Sequence, residues 1–417
     1  MPERPLSFCM LTTFYPPYHF GGEAMYLYHL TNELARRGHA VTVVHCVDSF
    51  EVLTKEPPRG EFPQPENVTV ERLRSPLGAL SPIVTYVAGT PGLKRRQLKR
   101  IFAESRFDVV HFHLVTLVGG PGILGYGDAI KLYTTHDHWL VCPMYDLWRY
   151  NRELCDRQHC LRCTLTFRRP PQLWRYTGWQ RHLSNVDLFL SPSRSTIEQH
   201  RQRGFSYPMR HLPYFLPEEE PDEPVRVDGP DRARPYFLFV GRLVKLKGVQ
   251  TLIEAFRQYD SADLLIAGDG VYGDELRRQA QGLGHVRFLG RVHPTELRSL
   301  YAGAAAVLVP SLAYETFGLI ALEALAQRTP VIGRDRGAVR EIVEESGGGL
   351  TFGTVDELVA AMERVRGDSD LRSELGEQGY RAYRRLWTVE PHLEGYFAAI
   401  EEARALGGSR SAAEGAL

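Results

Sequence analysis

The sequence has no run approaching the roughly 20 consecutive apolar residues that a helix needs to span a bilayer. Its start, MPERPLSFCM, lacks the positive stretch and apolar core of a secretory leader. Both absences lead us to expect a cytoplasmic protein. Neither sign of charge is in excess, with 50 Lys and Arg against 50 Asp and Glu in 417 residues, so the overall balance points to no nucleic-acid partner. No internal repeat of solenoid type recurs. Asp-x-Asp occurs once, at Asp368 and Asp370, between two amphipathic stretches rather than after a strand, and reads as a helix cap. Cysteine is scarce too, six in all, yet four of the six crowd into CPMYDLWRYNRELCDRQHCLRC.

What is present is an alternation of short apolar runs with helical periodicity, twice over. Strands are expected at residues 6–12, 40–47, 68–72, 109–113, 131–135, 188–190 and 211–213, with a helix over 22–37 closed by Gly38. The length suffices for two to three domains. Residues 217–235, PEEEPDEPVRVDGPDRARP, are rich in Pro and acids and read as a solvated linker. A second series of strands follows at 236–240, 263–267, 286–289, 307–309 and 331–332. The expected layout is a first domain over 1–215, a linker over 216–235, a second domain over 236–387 and a C-terminal helix and tail over 388–417. Residues 1–200 hold 23 Lys and Arg against 18 Asp and Glu, leaving 27 against 32 for the remainder. The first half is the basic one.

The most informative stretch is VPSLAYETFGLIALEALAQRTPVIG, residues 309–333, which reads as strand, helix over 317–327, and strand. Unpaired N–H groups at the start of such a helix make Phe317, Gly318 and Leu319 a phosphate cradle, with Gly318 allowing close approach. Glu323, about two turns in, can turn to the same crevice and accept hydrogen bonds from vicinal hydroxyls. Together with Glu315 this suits a sugar joined to a diphosphate.

That segment, with its Glu315 and Glu323 spacing, resembles the signature of glycosyltransferase family 4, whose members are retaining, nucleotide-sugar-dependent enzymes. The likeness extends over nearly the whole chain through FYPPYHFGGEAMYLYHLTNELARRGHAVTVV, DVVHFH, TTHDHW, LSPSRSTIE, FLFVGRLVKLKGVQTLIEAF, LLIAGDG and VRFLGRV. It implies an α/β protein of the GT-B fold, two Rossmann-like doubly wound domains facing each other across a cleft. Ligands would then sit outside the carboxyl ends of both sheets.

On that resemblance Gly21 and Gly22 allow close backbone approach to the donor. Gly241 ends a strand, and beyond it Arg242 and Lys247 clamp a diphosphate leaving group. His136, at the end of KLYTT, faces the donor sugar from the acceptor side, with Asp137 and His138 as runners-up. Arg194 either contacts a phosphate or pairs with a neighbouring carboxylate. Glu315 holds sugar hydroxyls and offsets positive charge at the anomeric carbon, while Glu323 binds the ribose. The family is usually described by front-face attack without a protein nucleophile, and with fixed cations present no catalytic metal is expected. One departure is RGAVREIV, where Ala338 follows Gly337 and Arg340 stands where Pro is common; the identity of the sugar and of the acceptor is left open.

Two other function classes have sequence features in their favour. GGPGILG, with Gly120, Gly122 and Gly125, matches a dinucleotide fingerprint and suggests an NAD-dependent oxidoreductase, but it lacks the acidic residue about 20 positions on. Cys142, Cys155, Cys160 and Cys163 have the spacing of a structural zinc site or an iron–sulfur cluster, with His159 able to replace one sulfur, and a zinc-stapled module without catalysis would use the same ligands. Cys9 and Cys46 read as buried. Two basic, apolar-interleaved segments, 92–106 and 166–183, suggest peripheral contact with an anionic membrane on its inner face, where a lipid-linked or polysaccharide glycan acceptor would dock.

Overall fold

The computed structural model describes residues 4–217 and 234–414; most of the expected linker, 218–233, lies outside the described residues. The first domain is a parallel sheet of β1 (Ser7–Leu11), β2 (Ala40–Cys46), β3 (Val68–Leu73), β4 (Val109–Phe112), β5 (Ile130–Thr134), β6 (Leu188–Ser191) and β7 (Met209–His211), in the order β3-β2-β1-β4-β5-β6-β7. The second contains β8 (Tyr236–Val240), β9 (Asp263–Ala267), β10 (Val286–Gly290), β11 (Ala306–Val309), β12 (Val331–Arg334) and β13 (Gly349–Phe352), ordered β10-β9-β8-β11-β12-β13. This is the expected α/β fold class. Every strand of β4 and β11 is buried along its full length, as central parallel strands covered by helices on both faces must be. Strand order reverses at the β1/β4 pair and at the β8/β11 pair, and each reversal opens a crevice at the strands' carboxyl ends.

The differences from the sequence expectation include three elements. The seventh strand lies at Met209–His211 instead of 211–213. β13 was not expected, because its GLTF follows two further glycines and carries little apolar signal. Nor was the helix Leu80–Ala88, for a reason that its burial pattern explains below.

The helix Val389–Glu414 leaves the second domain and lies on the first sheet. His392 Nδ1 donates to the Pro213 carbonyl at 2.7 Å, His392 Nε2 meets the Tyr26 hydroxyl at 3.0 Å, and the Tyr396 hydroxyl meets His111 Nδ1 at 2.9 Å. These buried polar contacts fix the helix in register over β4 and β5.

Part of each expected basic segment is taken up inside the protein. Lys94 is fully buried, its ammonium donating to Ser81 Oγ at 2.8 Å and Thr85 Oγ1 at 3.2 Å. Leu98 and Ile101 face the core beside it. Arg175 is enclosed by Trp139, Trp174 and Trp179, at 5.0, 4.9 and 5.1 Å from the ring centroids, and donates to the Trp139 carbonyl at 2.7 Å. Its guanidinium is stacked among the three rings and also donates to Gln172 Oε1 at 2.5 Å, so it is committed to packing within the domain.

Candidate active site

The two crevices face one another and merge into a cleft of about 2030 Å³. From the first domain come Gly21, Gly22, His136 and Asp137; from the second come Gly241, Arg242, Lys247, Glu315, Phe317, Gly318, Leu319 and Glu323. The domains touch through specific hydrogen bonds. Thr316 Oγ1 donates to the His136 carbonyl at 2.9 Å, and Thr196 Oγ1 to the Thr316 carbonyl at 3.2 Å.

The centre of the second-domain wall is an ion pair. Lys247 Nζ lies 2.6 Å from Glu315 Oε1, and Ser311 Oγ donates to the same oxygen. Burial alone would push the Glu315 carboxyl up, but Lys247, Ser311 and the charge of Arg242 outweigh it, so the carboxyl is held below its ordinary range and stays ionised. Lys247 owes its position to Gly248. That residue has φ +77°, and a Cβ there would lie 2.1 Å from the Pro310 carbonyl oxygen, so the loop after β8 runs against the end of β11 through a glycine.

Gly318 is the N-cap of the helix Leu319–Ala326 and its carbonyl accepts from the Ala321 and Leu322 amides at 2.8 and 3.3 Å, which leaves the Leu319 and Ile320 amides to open on the cleft that both residues line. The Phe317 side chain does not take part: it is buried, 5.0 Å from the Tyr214 ring. Glu323 points back to the cleft and accepts from the Tyr301 hydroxyl at Oε2. Burial raises its carboxyl and the tyrosine only partly opposes the rise. Opposite, Gly22 comes so close to the Leu319 side chain that a Cβ would lie 2.5 Å from Cδ1. The Gly-Gly turn thus brings one helix start against the other.

His136 lines the cleft but is held on both nitrogens. Nε2 meets His113 Nδ1 at 2.7 Å and Nδ1 meets the Tyr214 hydroxyl. Burial pushes the imidazole down to about 3, which keeps it neutral at physiological pH. The ring is thus held in the first-domain wall of the cleft with both nitrogens engaged. His138 is buried behind it against His200. Arg194 is a correction: it is absent from the cleft. Its guanidinium lies 3.5 Å from Glu341 and from Glu345 of the second domain, while the amides of Arg194 and Ser195 donate to the Glu341 carboxylate at 2.9 and 3.0 Å. Of its two expected roles it takes the ion pair, because Glu341 caps its helix from the other domain.

Two carboxylates bring charge that the sequence reading underweighted. Glu23 lines the cleft with its carboxyl raised by burial, an effect that Arg242 across the cleft partly offsets. Its signal was its place directly after the Gly-Gly turn. Asp137 accepts from the Trp139 amide at 2.8 Å; burial pushes its carboxyl up to about 7, with the Glu23 charge adding to the rise and Arg175 opposing it. A carboxyl with a raised folded pKa stabilises the fold while it is protonated. That contribution is complete below about 3.9 and lost as pH climbs through about 7. Asp137→Asn should therefore raise Tm over wild type at pH 8 and leave it unchanged at pH 4. Melting curves across that range test this, and parallel pH profiles for the two proteins would contradict it.

The four cysteines are not gathered as expected. They lie in one neighbourhood, near enough that the negative charge of one thiolate would oppose ionisation of the next. Yet among the described residues no three His, Cys, Asp or Glu side chains are arranged to hold a metal ion. Cys142 and Cys163 are buried with Met144 and Leu147, Cys155 Sγ lies 3.5 Å from the Arg157 carbonyl, and burial pushes the Cys142 thiol up to about 12.

Two facing doubly wound domains, with a carboxylate pair, fixed cations and a helix N-terminus at the cleft, define the GT-B class of transferases. Residues 20–220 match the family model "Glycosyltransferase Family 4" and residues 223–382 match "Glycosyl transferases group 1". The chain belongs to these glycosyltransferases. It is 38% identical over 143 residues to an uncharacterized glycosyltransferase of Methanocaldococcus jannaschii, covering 32% of this chain and 36% of that one. It is 32% identical over 167 residues to the lipopolysaccharide core biosynthesis glycosyltransferase LpsE of Rhizobium meliloti, covering 37% of this chain and 48% of that one. The chain thus spans less than half the length of these curated relatives. Among solved structures, sucrose-phosphate synthase of Thermosynechococcus elongatus shares the fold with a TM-score of 0.71 at 21% identity, over 99% of this chain and 100% of that one. Anabaena HepE in complex with UDP and glucose gives 0.63 at 16% identity, over 99% and 100%.

Proposed function

We propose that this chain transfers a sugar from a nucleoside-diphosphate sugar to a hydroxyl of a glycan acceptor, with retention of anomeric configuration. The observation that carries the reading is the Lys247–Glu315 ion pair set between Arg242 and the start of the helix Leu319–Ala326. The cations and the helix amides suit two negatively charged phosphates, and the ionised Glu315 suits the sugar that departs from them.

In this reading the bond from the anomeric carbon to the β-phosphate oxygen breaks as charge passes to the diphosphate, where Arg242, Lys247 and the helix amides stabilise it. The acceptor oxygen bonds to the same face of the carbon, and its proton leaves with the phosphate oxygen. Glu315 offsets the positive charge on the ring. Glu323, with Oε2 committed to Tyr301, has Oε1 for the vicinal hydroxyls of the ribose. Two relatives support an envelope-glycan acceptor, one a glycosyltransferase of lipopolysaccharide core biosynthesis and one a phosphatidyl-myo-inositol mannosyltransferase of Mycolicibacterium smegmatis. Fixed cations carry the leaving-group charge, so no catalytic metal enters the steps.

A panel of nucleotide sugars, followed by released nucleoside diphosphate and by proton NMR of the product anomer, tests the reading. Expected is one preferred donor and an unchanged anomeric configuration; an inverted product would overturn retention. Glu323→Ala should raise the donor KM about tenfold or more, as expected when a site loses a hydrogen-bonded pair of hydroxyls. An unchanged donor KM would remove Glu323 from the ribose.

A further inference from the structure

The helix Leu80–Ala88 is inside out. It buries Ser81 and Thr85, which hold the Lys94 ammonium, together with Pro82 and Tyr86, and none of its aliphatic side chains. Its outer face is apolar: Leu80, Ile83, Val84 and Val87, spaced i, i+3, i+4 and i+7, are all exposed, Leu80 to 55%. Leu93 extends this stripe, as does Leu173, exposed to 60% on the turn Leu173–Tyr176. That turn is fastened to the helix by Trp174, whose Nε1 donates to the Tyr86 carbonyl at 3.0 Å. An ordinary surface helix buries such a stripe, and a monomer rarely leaves one open.

We propose that this face is a membrane-docking surface that seats the first domain on an anionic bilayer. The charge around it selects that occupant. Residues 72–103 and 157–186, which build the patch and its rim, contain no Asp or Glu. Arg95, Arg96 and Lys99, immediately beyond Leu93, are exposed. A protein partner meets a rim of mixed polarity, whereas an apolar stripe bordered by one sign of charge fits acyl chains beneath anionic headgroups. The patch also reaches the cleft, since Pro82, Ile83 and Tyr86 line its first-domain wall. Among the described residues no helix is long and apolar enough to cross a membrane, and docking needs none. The surface stands on these residues and not on the transfer reading.

The test is co-sedimentation of the full chain with vesicles of phosphatidylcholine alone and of phosphatidylcholine with phosphatidylglycerol. Partitioning should be greater on the anionic vesicles. It should fall about tenfold or more when Leu80→Ser, Val84→Ser and Val87→Ser are combined, and by a similar factor, erased at high salt, when Arg95→Glu, Arg96→Glu and Lys99→Glu are combined. All six side chains point to solvent, so both variants should melt like wild type. Equal partitioning on the two vesicles, or an apolar variant that binds undiminished, would overturn the proposal. So would a lipid-free dimer in sedimentation velocity that the apolar variant disperses, since a second copy would then cover the face. Release of nucleoside diphosphate without vesicles should be the same in both variants and wild type, and its absence from all three would overturn transfer and leave docking standing.

Discussion

Replacing Glu315 with Ala should cut turnover by about two to three orders of magnitude while leaving a folded, cooperatively melting protein. The size follows from losing one charge preorganised toward a transition state, typically ~3–4 kcal/mol. Glu315 has no water shell to rebuild after ionisation: Lys247 and Ser311 already hold it, and its ionised form is present before substrate arrives. Lys247→Ala should be as severe by a different route. It removes a leaving-group cation and also deprives Glu315 of the interaction that outweighs its burial, so the carboxylate charge is disfavoured as well. The two effects should not add in the double variant, because one pair is being broken twice. Steady-state kinetics with melting curves on all three variants check this, and near-normal turnover in a folded Glu315→Ala protein would be incompatible with the proposed site.

Gly248→Ala should produce the second large effect, on stability. A non-glycine residue at φ +77° costs on the order of 1–2 kcal/mol, and the added Cβ would meet the Pro310 carbonyl oxygen at 2.1 Å, backbone against backbone with no side chain to yield. A loss of about 3 kcal/mol or more in the second domain corresponds to a fall of roughly 5–10 °C in its melting transition. Turnover should fall too, since the Lys247 loop must withdraw from β11 to relieve the contact. A Gly248→Ala protein melting within a degree or so of wild type would show that the loop does not need glycine there.

The parts of this molecule that were legible in its sequence share a physical basis. β4, β8, β9 and β11 are buried on both faces and therefore read as continuous apolar runs, and glycines at their ends marked where chain meets ligand space. Glu315, Lys247 and Glu323 could be named because each lies a fixed step beyond such a strand. What was not legible depends on partners distant in sequence. Lys94 read as a surface cation, yet the hydroxyls that bury it lie on a helix whose polar side faces inward, which reverses the usual meaning of an apolar stripe. Arg175 depended on Trp139, 36 residues upstream. Arg194 depended on Glu341 in the other domain, and no local pattern indicates a helix cap supplied from another domain. For His136, position was legible and protonation state was not, because its neutrality comes from burial, and the side chains that enclose it, His113 and Tyr214 among them, are distant in sequence.

The central claim is that the cleft binds a nucleoside diphosphate through Arg242, Lys247 and the amides at the start of the helix Leu319–Ala326. Isothermal titration of UDP and GDP into wild type and into Lys247→Ala, beside the matching monophosphates, addresses it most directly. The account predicts that wild type binds one diphosphate clearly more tightly than its monophosphate, and that Lys247→Ala weakens the diphosphate at least tenfold while changing the monophosphate little. Equal affinity for mono- and diphosphate, or a diphosphate affinity indifferent to Lys247, would contradict it.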